Sequence, residues 1–270
     1  MVPRDSPWKS PKIPWRVHSR AREPGTLHSV PTRILFDGNA LQSQVHRRAV
    51  GPQPAGVRLE EPLAAPKNGL AADVKFSVEG DPLSAAMLEE ADVPAIPTRP
   101  PNEGLPPGMD LGTAPYTDDE IDRIVDAVER GTGLVLFTNH TGLTQEDDRL
   151  AEQFGIEALD FTYYNHPSGD CSLEGDQMVV HPILSGGPEG ASVDQIVFEN
   201  CGLLWKSSSS AAPVVRLPSH EKAFFSVTAQ SRIGRVVVIA DSGILGSKNP
   251  QGRGVRSRDT STVRTTGPSC

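Results

Sequence analysis

One stretch, residues 116–137, constrains the fold of this chain more than any other. It reads YTDDEIDRIVDAVERGTGLVLF, a helical apolar stripe followed by a glycine and a short apolar run. Thr117 with Glu120 three positions later has the sequence of a capping box at a helix start, and Gly131 is placed to end that helix. The run Leu134–Phe137 is typical of a parallel strand covered on both faces. The stretch therefore predicts a helix, a turn and a buried strand of an α/β fold.

The rest of the chain extends this pattern and then departs from it. Strands are predicted at residues 33–37, 72–78, 91–96 and 233–240, and helices at 82–90 and 145–154. Alternation of strands and helices up to residue 155 predicts a parallel sheet. Between residues 156 and 228, short β-like runs separated by turn residues indicate an antiparallel excursion. Pro94 predicts an edge position for its strand, and residues 98–115, rich in Pro and Gly, are predicted to be a long loop.

The ends of the chain differ in composition from its middle. Residues 1–31 are rich in Pro and Arg and have no helical or strand period, so they are predicted to be a disordered basic extension. Residues 247–270 are predicted to be a disordered basic tail, which leaves residues 32–246 as the folded domain. The 270-residue chain has a net charge of -8, and the middle carries the acidic excess. An acidic folded surface argues against nucleic-acid binding.

The cellular compartment is inferred from the targeting signals and cysteine pairs that the sequence does not contain. No apolar run reaches the roughly 18 residues of a membrane span, and the N-terminus has no apolar segment of a secretory signal. The three cysteines form no C-x-x-C pair, which favours a reducing compartment. We therefore predict a cytoplasmic protein with no membrane contact.

Polar residues follow three of the predicted strands. In parallel sheets, ligands bind in the crevice at the carboxyl ends of the strands. We therefore predict that the residues at these ends bind a ligand. The candidates are Asp37, Asn39, Asn139, His140, Asp241 and Ser242.

Several segments carry a resemblance to a known family. They read ILFDGN, YTDDEIDRIVDAVERGTGLVLFTNH, LAEQFGI, HPILSG and GRVVVIADSGILGS. Over about Arg33 to Ser247 the chain resembles the GIFT-type branch of the class I glutamine amidotransferase-like superfamily, which includes intraflagellar transport proteins. The resemblance implies a flavodoxin-like, Rossmann-like three-layer sandwich with a mostly parallel sheet and an antiparallel excursion. It also implies a branch that is usually without amidotransferase activity.

The residues agree with a loss of that activity. A working amidotransferase needs a Gly-x-Cys-x-Gly elbow after a strand, and Thr138–Gly142 contains neither Cys nor Ser. We therefore expect a non-enzymatic domain with no catalytic residue, no cofactor and no metal. It is expected to bind a small molecule, a sugar or a protein partner at the cleft formed by the carboxyl ends of the strands.

Two alternatives stay open from the sequence. A hydrolase would use Ser242, or a cluster of Asp37, His140 and Asp241 if the fold brings them together.

The family pattern also expects a helix after the last strand, and residues 247–270 have no helical stripe. A sheet face left uncovered for this reason would allow self-association.

Overall fold

The computed structural model describes the part of the chain that holds the predicted domain, with gaps. The described residues are 32–37, 72–77, 81–99, 116–141, 145–164, 171–185, 192–198, 200–218, 222–245 and 254–257. The predicted extension 1–31 lies outside these ranges, as does most of the predicted tail. Within that tail, Gly254–Ser257 forms a strand.

Most of the described elements lie where the sequence predicts them, but the strands at Ile156–Tyr164, Cys171–Glu174 and Gly254–Ser257 were not predicted. The strands are β1 Thr32–Phe36, β2 Ala72–Phe76, β3 Val93–Ile96, β4 Gly133–Phe137, β5 Ile156–Tyr164, β6 Cys171–Glu174, β7 Val193–Phe198, β8 Asn200–Lys206, β9 Ala211–Arg216, β10 Phe224–Ser231, β11 Gly234–Ile239 and β12 Gly254–Ser257. The helices are α1 Ala85–Glu90, α2 Asp118–Glu129 and α3 Gln145–Glu152.

A nine-stranded mixed sheet dominates the architecture, in the order β2-β1-β3-β4-β11-β10-β8-β5, with β9 paired to β10. Along this order, the four pairings from β2 to β11 are parallel. From β10 onward the pairing is antiparallel. A second sheet has three strands in the order β12-β7-β6.

The predicted flavodoxin-like three-layer sandwich is wrong. In the described ranges the fold is mostly β, with a curled mixed sheet and three helices. The physical reason is the segment predicted as an excursion. Its strands β10, β8 and β5 do not leave the parallel sheet but extend it, so the antiparallel part belongs to the main sheet. Three helices are too few to cover both faces of such a sheet as separate layers.

The position of Pro94 is a second correction. β3 lies between β1 and β4 and is not an edge strand. β3 pairs with β4 from Ala95 onward, which is after the proline. The N–H that Pro94 lacks is therefore not needed by the residues paired between these two strands.

Helix α2 forms where the sequence predicts it. The Thr117 side chain accepts a hydrogen bond from the Glu120 backbone N–H, 3.1 Å, and caps the helix. Ile121, Ile124 and Val128 of the apolar stripe are buried. At the other end, Gly131 has a φ of +113°, which an L side chain rarely adopts. Both signals are local, which is why the sequence alone could locate this helix.

A single apolar core unites the parallel and antiparallel strands. Its largest buried side chains include Phe198 of β7 and Phe225 of β10, whose ring centroids lie 5.0 Å apart. On β11, Val236 and Val238 are fully buried, and Val237 on the opposite face is half-buried. Self-association through that second face stays a prediction.

Candidate functional site

The predicted ligand-binding residues fall into two groups at the carboxyl ends of the parallel strands. Asp37 follows β1 and belongs to a buried ionic cluster. Asn139 and His140 follow β4, and Asp241 and Ser242 follow β11, the strand next to it. Asn39, the sixth, lies outside the described residues.

Arg99 is the centre of the first group, which we call the Arg99 cluster: Asp37, Arg99, Tyr116, Glu120 and Asp147. The guanidinium donates to Asp37 through Nε, and to both carboxylate oxygens of Glu120 through Nη1 and Nη2, each at 2.9 Å. Its Cζ atom lies 4.1 Å from the centroid of the Tyr116 ring. The Arg99 side chain is fully buried. Burial alone would lower the pKa of Arg99, but the neighbouring Tyr116, Asp37 and Glu120 outweigh it and raise the pKa above its ordinary value.

Glu120 has a different role from the one its position predicts. In a capping box its side chain would turn back to the backbone of Thr117. Instead, the carboxylate is 1 % exposed and accepts from Arg99 and from the Leu83 backbone N–H, 2.6 Å. Helix α2 therefore keeps the Thr117 hydrogen bond of the capping box. The Glu120 side chain, which would make the second bond, pairs with the buried Arg99 instead.

Two oxygens of the Arg99 cluster have no hydrogen-bond partner among the described residues. They are the Tyr116 hydroxyl and Oδ2 of Asp147. Oδ1 of Asp147 accepts the backbone N–H of Arg99, 3.1 Å. Burial raises the pKa of both Tyr116 and Asp147 well above their ordinary values. Asp147 is thus stabilised in its neutral form, which limits the excess negative charge around one arginine.

The second group contains a neutral hydrogen-bonded pair, Asn139 and Ser242. Nδ2 of Asn139 donates to the Ser242 hydroxyl, 2.9 Å, and Oδ1 of Asn139 accepts the backbone N–H of His140, 2.9 Å. Ser242 is 1 % exposed and Asp241 is also buried, while His140 is half-buried. The ends of β4 and β11 are thus joined by a direct side-chain contact.

Strand β8 lies against the ends of β4 and β11. The backbone N–H of Gly202 donates to the carbonyl of Ala240, 2.8 Å. A methyl group added at Gly202 would lie 2.2 Å from the carbonyl oxygen of Asn139. Only glycine permits this approach without a shift of backbone. The position where a cleft was expected is therefore occupied in part by the antiparallel half of the sheet.

The geometry does not assemble a hydrolytic site from the candidates. β1 and β11 are separated by β3 and β4, so the residues after them are about 14 Å apart at a spacing of about 4.8 Å per strand. Asp37 is paired with Arg99, while Ser242 contacts Asn139 and no described histidine. The buried Cys201 is no better a nucleophile, because burial and the nearby charge of Asp241 raise the pKa of its thiol.

Two surface grooves lie away from these residues. One of about 220 Å³ runs between α1 and strands β1 and β2, and one of about 290 Å³ runs between α2 and α3. Neither is lined by any of the five predicted residues that the structure describes. Across the described ranges, no group of three His, Cys, Asp or Glu side chains is arranged to hold a metal ion. No described helix is both long and apolar enough to cross a membrane.

Sequence reasoning missed most of the Arg99 cluster. Arg99 stands in the stretch predicted as a loop, Glu120 in a predicted cap, and Asp147 in the first turn of a predicted helix. An acidic residue in a helical first turn is ordinarily explained by the helix dipole. The one available signal was an arginine in a proline-rich segment shortly after a predicted strand.

Comparison with known proteins yields a fold and no family. No family model and no curated protein matches this chain. Among solved structures, the mmIFT52 N-terminal domain matches with a TM-score of 0.51 and 13% identity over 82% of this chain and 91% of that one. The cytoplasmic protein STM1381 from Salmonella typhimurium LT2 gives 0.47 and 16% over 82% and 92%. A β-galactosidase from Bacillus circulans sp. alkalophilus gives 0.46 and 13% over 79% of this chain but 29% of its own length.

At 13% identity, the similarity to the mmIFT52 N-terminal domain shows a likeness of fold and nothing more. The described part of this chain is mostly β with few helices, which corrects the sequence-based description of the fold as flavodoxin-like, Rossmann-like and glutamine amidotransferase-like. The assignment to the GIFT-type branch has no family model or curated relative to test it and stays a prediction.

Proposed function

We propose that this domain is a non-enzymatic, cytoplasmic binding module that recognises a protein partner on the side of the sheet where the parallel strands end. The polar groups of Asp37, Asn139 and Ser242 support the non-enzymatic part, because each is engaged in a hydrogen bond with another side chain. A catalytic group needs to face a substrate within hydrogen-bond reach. The hydrolase alternative gains no support from a described contact.

One observation carries the choice of a protein partner: β8 closes the strand ends while its own Trp205 stays 43% exposed. Trp205 stands opposite Glu157 of β5, and the next pair on that face is Leu203 with the half-buried Leu159. Phe161, also on β5, is 48% exposed. Exposed aromatic side chains beside a partly buried leucine are typical of the central anchors of protein interfaces.

Site-specific photo-crosslinking tests this proposal. A benzophenone amino acid replaces Trp205 or, as a matched control, Ile233, an equally apolar residue that is 71% exposed in the turn before β11. We expect a discrete crosslinked partner from position 205 and none from position 233. That partner, purified, should bind the unsubstituted domain and bind Trp205→Ala at least about tenfold more weakly, which corresponds to about 1.4 kcal/mol. Ile233→Ala should bind it with unchanged affinity.

A separate measurement addresses catalysis. A fluorophosphonate probe that labels activated serines should leave Ser242 unlabelled, because the hydroxyl contacts an amide and not a base. Labelling that disappears in Ser242→Ala would overturn the non-enzymatic proposal. Equal crosslinking from positions 205 and 233 would overturn the proposed binding surface.

A further inference from the structure

The Arg99 cluster presents a nearly complete set of contacts for a planar guanidinium. Glu120 receives it with two parallel hydrogen bonds, Asp37 accepts from Nε, and the Tyr116 ring lies 4.1 Å from Cζ. A forked carboxylate contact and an aromatic face suit the flat, delocalised arginine head group and do not suit a compact ammonium.

These groups are held in position by contacts that do not use the Arg99 side chain. Glu120 accepts the backbone N–H of Leu83, and Asp37 accepts the hydroxyl of Ser77, 3.4 Å. Asp147 accepts the backbone N–H of Arg99 itself, which any substituted side chain would leave in place. The walls therefore keep their anchors when the guanidinium is removed.

The walls also offer more acceptor capacity than Arg99 uses. Oδ2 of Asp147 and the hydroxyl of Tyr116 have no hydrogen-bond partner among the described residues, and both side chains are at least nine-tenths buried. Asp37 and Glu120 already supply two carboxylates to this single cation. A site that only had to neutralise Arg99 would not need these additional buried oxygens.

We propose that Asp37, Tyr116, Glu120 and Asp147 form a guanidinium-binding pocket, which the chain fills with its own Arg99 and which accepts an external alkylguanidinium when that side chain is absent. The pocket selects for the planar, forked donor pattern and against a point charge. This inference does not depend on a partner-binding surface, and it assigns a ligand class to the strand-end side near β1 and β3.

The test is chemical rescue of Arg99→Ala. Its melting temperature is measured with n-propylguanidinium, with n-propylammonium as the shape control, and with NaCl at the same ionic strength. At ten times the dissociation constant, we expect propylguanidinium to raise the melting temperature by about 3–6 °C. Propylammonium and NaCl should give less than about a third of that rise, and the unsubstituted protein should not respond to propylguanidinium.

A variant that does not fold alone is tested by refolding. Arg99→Ala is diluted from urea into each of the three salts, and the folded fraction is read by circular dichroism. Recovery with propylguanidinium only, and its loss in Arg99→Ala/Glu120→Gln, would support the pocket. Equal recovery with propylammonium, or no recovery with either cation, would overturn it.

Discussion

The two groups of polar residues at the strand ends lie on the same edge of one sheet, yet they differ in physical character. The Arg99 cluster is charged and fully buried, and it joins the end of β1, the segment after β3 and helices α2 and α3. The Asn139–Ser242 pair is neutral and joins two neighbouring strand ends. Because an uncompensated buried charge costs several kcal/mol and a neutral hydrogen bond contributes about 1 kcal/mol, the first group should dominate stability.

The largest effect is expected from Arg99→Met. It leaves Asp37 and Glu120 buried without their cation, so the free energy of unfolding should fall by about 3–5 kcal/mol. Arg33→Met is the control, since its ion pair with Asp92 is about half exposed and should contribute under about 1 kcal/mol. Urea unfolding measures both. A loss below about 1 kcal/mol in Arg99→Met would remove the basis of the comparison.

Gly202→Ala tests the contact between the two halves of the sheet. The added methyl would meet the Asn139 carbonyl, and relief requires movement of backbone, so a loss of about 1–3 kcal/mol is expected. Gly133→Ala is the matched control within a strand, because its nearest contact is a valine methyl at an ordinary 3.4 Å. Thermal melting compares the two variants. Equal stabilities would mean that β8 does not hold the ends of β4 and β11.

Measuring stability as a function of pH tests the contribution of the Arg99 cluster to this comparison. Burial raises the pKa of Asp147 in the folded state, so its contribution to stability is present below the ordinary pKa of about 4 and is lost as pH rises through the folded pKa. Asp147→Asn should remove this loss, which is at most about 1.4 kcal/mol per pH unit. Asp122→Asn, on the exposed face of α2, is the control. Parallel stability curves for Asp147→Asn and the unsubstituted protein would contradict the raised pKa.

The smallest effect is expected from Ser242→Ala. It removes one neutral hydrogen bond and leaves the Asn139 amide partly buried, at a cost of about 1 kcal/mol. Ser207→Ala, exposed after β8, should change stability by less than about 0.5 kcal/mol. Urea unfolding separates the two. A loss of 3 kcal/mol or more in Ser242→Ala would place the neutral pair on a level with the Arg99 cluster.

The sequence predicts local structure well and long-range arrangement poorly. Helix α2 is defined by Thr117 and Gly131, which act within a few residues. The order of strands is set by contacts far apart in sequence, such as Ala240 with Gly202. No period in the sequence distinguishes an antiparallel strand that joins the main sheet from one that leaves it. That is why most of the described strands were predicted, although β5, β6 and β12 were not, and why the fold class was wrong.

The same contrast between local and long-range structure applies to the residues of the candidate site. Asn139 and Ser242 could be named as candidates from the sequence because each lies shortly after a predicted buried strand. Arg99 and Glu120 could not, since their contact joins a predicted loop to a predicted helix cap. A charged residue gives no apolar period to detect, and only the fold reveals that the Arg99 side chain is fully buried.

Coupling energies test the central claim most directly, namely that these strand-end residues serve structure and not chemistry. Two double-mutant cycles by urea unfolding would compare Arg99→Met with Glu120→Gln, and Asn139→Ala with Ser242→Ala. We predict stabilising couplings of about 2–3 kcal/mol for the charged pair and about 0.5–1 kcal/mol for the neutral pair. Groups held for a substrate commonly lower stability. Variants that are more stable than the unsubstituted protein, with no coupling in either cycle, would contradict the account.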